Sequence, residues 1–244
     1  MFSVCLLSRY MGVPMRQHML AAKRVLRYLK GTLTHGIWYK KAGEGEGEES
    51  LVGYTDSDYA GDLDDRKSTS GYVFFLAGGA VSWSSKKQPV VTLSTTEAEF
   101  VAAAGCATQC IWLRRILEQM EWRSSVQGGT RIFCDNNSAI KLSKNPVLHG
   151  RSKHIDVRFH FLRDLVKAGT VDLVHCGTAS QVADIMTKAV KNETFEFLRG
   201  KLGVKEMAEV VVAQRSEVED ELKSYQASVQ GRMLKLEVGG ANQK

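Results

Sequence analysis

Four acidic residues far apart in the chain, Asp56, Glu99, Asp135 and Asp184, share one kind of local setting. Asp56 and Asp135 each close a β-prone stretch, Glu99 lies in the first turns of a long helical stretch, and Asp184 opens a later one. Carboxylates gathered from such places to one edge of a sheet are what a two-Mg²⁺ site requires. Hard divalent cations take oxygen ligands, and crowded carboxylates tolerate one another when a cation sits between them. Two such ions about 4 Å apart activate a water and stabilise the leaving oxygen in phosphodiester hydrolysis. A single acid at a helix start is more often a cap or a partner of the helix dipole, so position alone leaves both readings open.

The elements that must carry these residues follow from periodicity and punctuation. Leu51–Asp56, Gly71–Leu76 and Ala80–Ser84 read as three consecutive antiparallel strands, the last two joined at Gly78-Gly79. Ser94-Thr95-Thr96-Glu97 starts a helix running towards Met120, with Ala102–Gly105 thin enough for close packing on a sheet. Arg131–Asp135 is a fourth strand followed by a helix, His154–Ala168 is helical, Thr170–Cys176 is a fifth strand, and 181–190 is helical. The fold class is therefore α/β: a five-stranded mixed sheet, three strands antiparallel and then two parallel, flanked by helices. Outside it lie an amphipathic helix over 17–30, a short strand over 35–40, the Gly/Glu stretch 43–50 and a charged amphipathic stretch over 205–235.

Composition sets outer bounds. The chain has 244 residues, 43% hydrophobic and 25% charged, which excludes wholesale disorder, and its net charge of +6 is weak evidence for nucleic acid. Five cysteines form no CxxC pair, so a disulfide framework is not expected and a reducing compartment is. No apolar run is long enough for a membrane helix and the start lacks the form of a signal peptide. The expectation is an intracellular protein, cytoplasmic or nuclear, neither secreted nor membrane-bound.

Six blocks then occur in order: YTDSDYAGD (54–62), DRKSTSGY (65–72), STTEAEF (94–100), CDNN (134–137), KHIDVRFHF (153–161) and ADIMTK (183–188). Together they strongly resemble the ribonuclease H domain of copia-type (Ty1/copia) LTR retrotransposon Pol polyproteins, over roughly residues 51–190. Residues 6–38 resemble the stretch just after the reverse-transcriptase palm of the same polyproteins. The resemblance implies a ribonuclease H-like fold and two-metal cleavage of the RNA strand of RNA·DNA hybrids during reverse transcription. It also implies two Mg²⁺ ions, with Mn²⁺ able to substitute, held by Asp56, Glu99, Asp135 and Asp184 as the catalytic acids. Expected partners are the hybrid and the reverse-transcriptase region of a parent polyprotein. The organisation it implies is a reverse-transcriptase remnant over 1–42 and the nuclease domain over 51–190; composition makes 43–50 a linker between them, and apolar spacing makes 191–244 a helical extension, which from 205 has no match in the family.

Glu97 competes with Glu99 for the helix position. Two residues apart, they diverge by about 200° on a helix and cannot both face one site; Ala98-Glu99-Phe100 fits the family's step better. Asp58 and Asp62 read as hydrated loop acids. Lys67, Ser68 and Thr69, with Asn136, Lys153 and Arg158, are the candidates for nucleic-acid contact, since phosphate charge dominates such affinity. Their plainer readings are a solvated loop, a helix cap at Asn136 and a solvated helix face. His175 falls at a strand end rather than in the following loop, which weakens its claim to help product release. Cys106 and Cys110 read as small buried residues, and His154 and His160 lack zinc-ligand spacing. Two rival functions stand beside the nuclease: an inactive polyprotein fragment that at most binds nucleic acid, for no Tyr-x-Asp-Asp motif is present, and a nuclease of the same superfold acting on DNA.

Overall fold

The computed structural model describes residues 1–40, 50–122, 126–144, 156–208 and 223. Residues 43–49, Lys153 and nearly all of the charged stretch after 208 lie outside them. The chain divides into two compact units, one of residues 1–31 with 37–204 and one of residues 32–36 with the chain from Lys205.

The first unit is built on a five-stranded sheet: β2 (Val52–Ser57), β3 (Thr69–Leu76), β4 (Gly79–Lys87), β5 (Thr130–Cys134) and β6 (Val171–His175), in the order β4-β3-β2-β5-β6. β2, β3 and β4 are antiparallel; β5 runs parallel to β2, and β6 parallel to β5. This is the mixed sheet expected from the sequence, in the ribonuclease H-like order. The β3–β4 turn is one residue earlier than predicted. Ala77 and Gly78 both have positive φ, the requirement of a two-residue hairpin whose twist matches its strands.

α3 (Thr95–Gln119) crosses the sheet and packs on β2 and β3, with α4 (Asn137–Lys144) and α5 (Asp156–Lys167) beside it. Ser94 caps it by accepting from the Glu97 N–H, and Ala98–Ala104, Cys106, Ala107 and Cys110 are buried along its length. Small side chains let the helix axis approach the strands. The core they close includes Phe74, Phe100, Ile132, Leu162 and Leu173, each no more than 1% exposed. Leaving such a core with a cavity, as Phe100→Ala would, costs about 3–5 kcal/mol.

The helix predicted over 181–190 shrinks to α6 (Asp184–Thr187), preceded by a single 3₁₀ turn at Thr178–Ser180. Side chains explain the shortening. The Gln181 amide donates to the Thr55 carbonyl and accepts from Ala183 N–H, so tertiary bonds fix the chain before a helix can propagate. Gly71 permits the close approach: a Cβ there would lie 2.7 Å from Met186 Cβ and Thr187 Cγ2.

At the N-terminus, α1 (Phe2–Ser8) and α2 (Arg16–Gly31) bury no residue fully, and α1 packs on β4 and α6. α7 (Asn192–Lys201) follows α6. β1 (His35–Ile37) pairs with β7 (Val204–Glu206) in a separate two-stranded sheet. In the second unit Met207 N–H donates to the Thr34 carbonyl. Lys205 and Glu206, predicted to begin a helix, are therefore strand, because β1 offers their backbone a partner.

Candidate active site

β2 delivers Asp56 in its last turn of pleat, 2% exposed; α3 delivers Glu99, 6% exposed; α6 delivers Asp184, 8% exposed. Asp135, half-buried, is the first residue beyond β5, which lies next to β2. The parallel pairing of β2 with β5 brings the C-terminal ends of both strands to one edge of the sheet. The four acids thus come from four elements to one place, and their electrostatics are coupled. Asp56 raises the proton affinity of Glu99, Asp135 and Asp184, and Asp135 adds to the effect at Glu99.

Burial is the larger cause at each of the three. It pushes Glu99 up to about 9, with the Asp56 and Asp135 charges second and third. Asp184 rises to about 6 through burial, partly offset by Lys188. Asp135 rises through burial and then Asp56. Carboxyls that would each ionise in water near pH 4 are here disfavoured as a charged group, which is the condition a divalent cation relieves.

The local hydrogen bonds orient the cluster without neutralising it. Glu99 Oε1 accepts from the Ser57 N–H at 3.2 Å. The Thr187 hydroxyl donates to Asp56 Oδ2, and Thr178 Oγ1 donates to Asp135 Oδ2 at 3.4 Å. Lys188 Nζ lies 2.9 Å from Asp184 Oδ1 and 3.7 Å from Asp56 Oδ2. Burial alone would lower the Lys188 ammonium; Asp56, Asp184 and Asp135 outweigh it and raise it.

The donor set suits a hard cation. Donor atoms of Glu99, Cys134 and Asp135 lie within 4.8 Å of one another. Cys134, however, is a thiol whose pKa burial and the Glu99 charge push far up, so it stays protonated and leaves the oxygens as the ligands. Glu97 faces elsewhere. Its carboxylate accepts from Leu93 N–H at 2.8 Å while its own N–H donates to Ser94 Oγ at 3.2 Å, a capping arrangement that separates its role from that of Glu99.

Asp58, Asp62, Ser68 and Thr69 have a different setting from the one expected, whereas Asn136, His175, Cys106 and Cys110 sit as their plainer readings have them. Asp62 is buried, not hydrated: Arg9 Nη1 lies at 3.1 Å and Lys87 Nζ at 2.7 Å, and Lys87 holds its carboxyl well below the usual range. Asp58 is half-buried and accepts from the Thr69 N–H. Ser68 and Thr69 are buried as well. Ser68 Oγ accepts from Ala60 N–H at 3.0 Å, and Thr69 Oγ1 accepts from Arg9 Nη2 at 3.0 Å, so both hold the loop together from inside. Lys67, half-buried, pairs with Asp65 at 3.4 Å. Asn136 Oδ1 accepts from Ala139 N–H at 2.9 Å and caps α4. Arg158 is half-buried on α5, and His175 is exposed at the end of β6. Cys106 and Cys110 are fully buried in the core. The residues the sequence reading missed are Thr187, Lys188 and Arg9. Only Lys188 left a signal, its i,i+4 spacing from Asp184.

No family model matches the chain. It is 41% identical over 202 residues to the Retrovirus-related Pol polyprotein from transposon TNT 1-94 of Nicotiana tabacum, a span of 83% of this chain and 15% of that protein. It is also 41% identical over 203 residues to the Pol polyprotein from transposon RE1 of Arabidopsis thaliana, 83% of this chain and 13% of that one. The chain thus spans less than a fifth of these curated relatives. Among solved structures, the N-terminal RNase H domain of a Mycobacterium tuberculosis protein, solved as a maltose-binding-protein fusion, has a TM-score of 0.42 and 10% identity, covering 62% of this chain and 96% of that one. With the six sequence blocks, the sheet order and the Pol relatives in agreement, the chain belongs to the copia-type retrotransposon Pol polyproteins and corresponds to their ribonuclease H region.

Proposed function

We propose that the chain is a ribonuclease H that hydrolyses the RNA strand of RNA·DNA hybrids, working alongside the reverse-transcriptase region of a Pol polyprotein. The observation that carries this reading is the convergence of Asp56, Glu99, Asp135 and Asp184 on one sheet edge, with Lys188 as the adjoining cation. Asp56, Glu99, Asp135 and Asp184 would hold two Mg²⁺ ions. When bound, these supply a nucleophilic water at neutral pH and charge stabilisation for the leaving oxygen.

The chain's own residues do the positioning. The Ser57 N–H and the Thr187 hydroxyl fix one oxygen each of Glu99 and Asp56, leaving the other lone pairs for ligation. Gln181 ties the segment before α6 to β2, so that Asp184 and Asp56 keep their spacing. Lys188 balances part of the acidic charge and would stand within reach of a phosphate bound at the four acids. Among the earlier candidates for nucleic-acid contact, Lys67, Asn136 and Arg158 retain surface for it, whereas Ser68 and Thr69 act through the loop they brace. Hybrid recognition in this reading rests on minor-groove shape and 2′-hydroxyls, with no base sequence read.

The test is cleavage of end-labelled RNA·DNA hybrid, duplex RNA and duplex DNA by the full chain in Mg²⁺ or Mn²⁺. Cutting of the hybrid's RNA strand, lost in Asp56→Asn, supports the assignment. Hybrid binding without metal-dependent turnover would make the chain a binding module, and preferential cutting of duplex DNA would make it a nuclease of another specificity.

A further inference from the structure

The net charge of +6 is not spread along the chain. Residues 1–42 carry eight Lys and Arg and no acid, while the remaining chain carries 25 Lys and Arg against 27 Asp and Glu. The N-terminal stretch is thus +8 and all the rest −2. Within it α2 has no acidic residue, and four of its cations form one stripe. At 3.6 residues per turn Arg16, Lys23, Arg27 and Lys30 fall within an arc of about 60°, along about 21 Å of helix axis. All four are exposed, and none makes an ion pair with a described residue. Like charges at this spacing destabilise a helix unless something of opposite sign lies along them.

The stripe is also fixed in place. Arg9, in the connection from α1 to α2, is clamped by Asp62 at 3.1 Å, in the loop between β2 and β3, and by Thr69 at 3.0 Å, the first residue of β3. α1 packs on α6, the helix that carries Asp184. At its other end α2 sets the Tyr28 ring edge-on to Phe195 of α7, with ring centroids 5.8 Å apart. The α1–α2 pair is therefore anchored to the loop that follows β2, to the start of β3 and to α6, the helix that carries Asp184.

We propose that α2 is a second nucleic-acid grip, in which Arg16, Lys23, Arg27 and Lys30 bind the phosphate backbone of a duplex whose neighbouring stretch lies at the four acids. The acidic centre repels a polyanion until metals load; a cationic stripe tied to it supplies the opposing attraction. About six phosphates of one strand span the length of the stripe, so four cations can be engaged at once. The choice of nucleic acid over another polyanion rests on reading the four acids as a nuclease centre, in the same compact unit as α2.

Binding of a fluorescently labelled RNA·DNA hybrid to the full chain, in EDTA and across 50–200 mM salt, tests this. The quadruple variant Arg16→Gln, Lys23→Gln, Arg27→Gln, Lys30→Gln should flatten the slope of log affinity against log salt by about 3–4, because each phosphate contact contributes about 0.9. Lys23→Gln alone should flatten it by about 1, and Arg16→Lys with Arg27→Lys should leave it unchanged. A folded quadruple or single variant with the wild-type slope overturns the proposal. So does wild-type protein that binds phosphatidylserine-containing vesicles through these residues and hybrid without them. Cleavage measured in parallel keeps the two readings apart: turnover with an unaltered slope defeats only the α2 grip, and an α2-dependent slope without turnover defeats only the nuclease.

Discussion

Asp56, one of the four gathered acids, and Asp62 lie a few residues apart in β2 and the loop that follows it, yet the two acidic settings solve the same electrostatic problem in opposite ways. Asp62 is buried between Arg9 and Lys87, accepts from the Asp64 and Asp65 N–H groups, and is held far down in pKa. Glu99 is equally buried but faces Asp56 and Asp135, and is pushed up to about 9. Both are carboxyls shielded from solvent: at Asp62 the Lys87 contact outweighs burial, and at Glu99 burial dominates and the neighbouring acids add to it. A buried acid with cations of its own is a structural clamp, whereas buried acids that mainly face one another are incomplete without an external cation.

Substitutions that exchange these roles give the largest expected effects. Glu99→Gln should lower hybrid cleavage by at least about a hundredfold, since even residues outside the ligand shell of a metal cost 10–100-fold. The same variant should melt at a higher temperature than wild type in EDTA at pH 8, because it removes a crowded carboxylate; a lower melting temperature would show that Glu99 is a structural group. Asp62→Ala should do the reverse. It leaves Arg9 without its acid and Lys87 with Asp65 alone, and should cost about 2 kcal/mol by denaturant unfolding, the figure for a buried pair reduced because Lys87 is partly exposed and keeps one partner.

Dependence on pH sharpens the contrast. Glu99 and Asp184 have folded pKa values above their ordinary ones, so the native state holds more protons than the unfolded chain between about pH 4 and 9. Their contribution is complete below that window and is lost as pH rises through it. Asp62 has the opposite sign, and its contribution is already complete above its ordinary value near 3.8. The metal-free protein should therefore melt at progressively lower temperature from pH 5 to pH 8, and the stabilisation gained on adding Mg²⁺ should grow over the same range. A flat or rising curve in EDTA would contradict the crowding of the acids. The smallest effect belongs to Glu97. Glu97→Ala removes a capping partner, should cost about 1 kcal/mol of stability, and should leave metal binding intact.

The acids stand at the ends of elements with clear periodicity, but it is the six blocks around them that single them out; helical geometry keeps Glu97 and Glu99 from sharing one site, and the Ala98-Glu99-Phe100 step chooses between them. Sheet order was legible for a different reason: short strands with turn signals constrain their own pairing. What joins distant segments left no such trace. The bond from Arg9 to Asp62 crosses 53 residues, and nothing around either position marks it. Ser68 and Thr69 look like an exposed polar loop until Ala60 N–H and Arg9 are seen to need them as acceptors. The segment 181–190 reads as helix by composition, but Gln181 and Thr187 spend their polar groups on β2, which local propensity does not report.

The central claim is that the crowded acids, and not the paired one, form a divalent-cation site. Mn²⁺ titrated calorimetrically into the full chain at pH 8 tests it most directly. Saturable binding that is abolished by Asp56→Asn and kept by Asp62→Asn is the predicted result. An absence of saturable binding, or binding that survives Asp56→Asn, would contradict it.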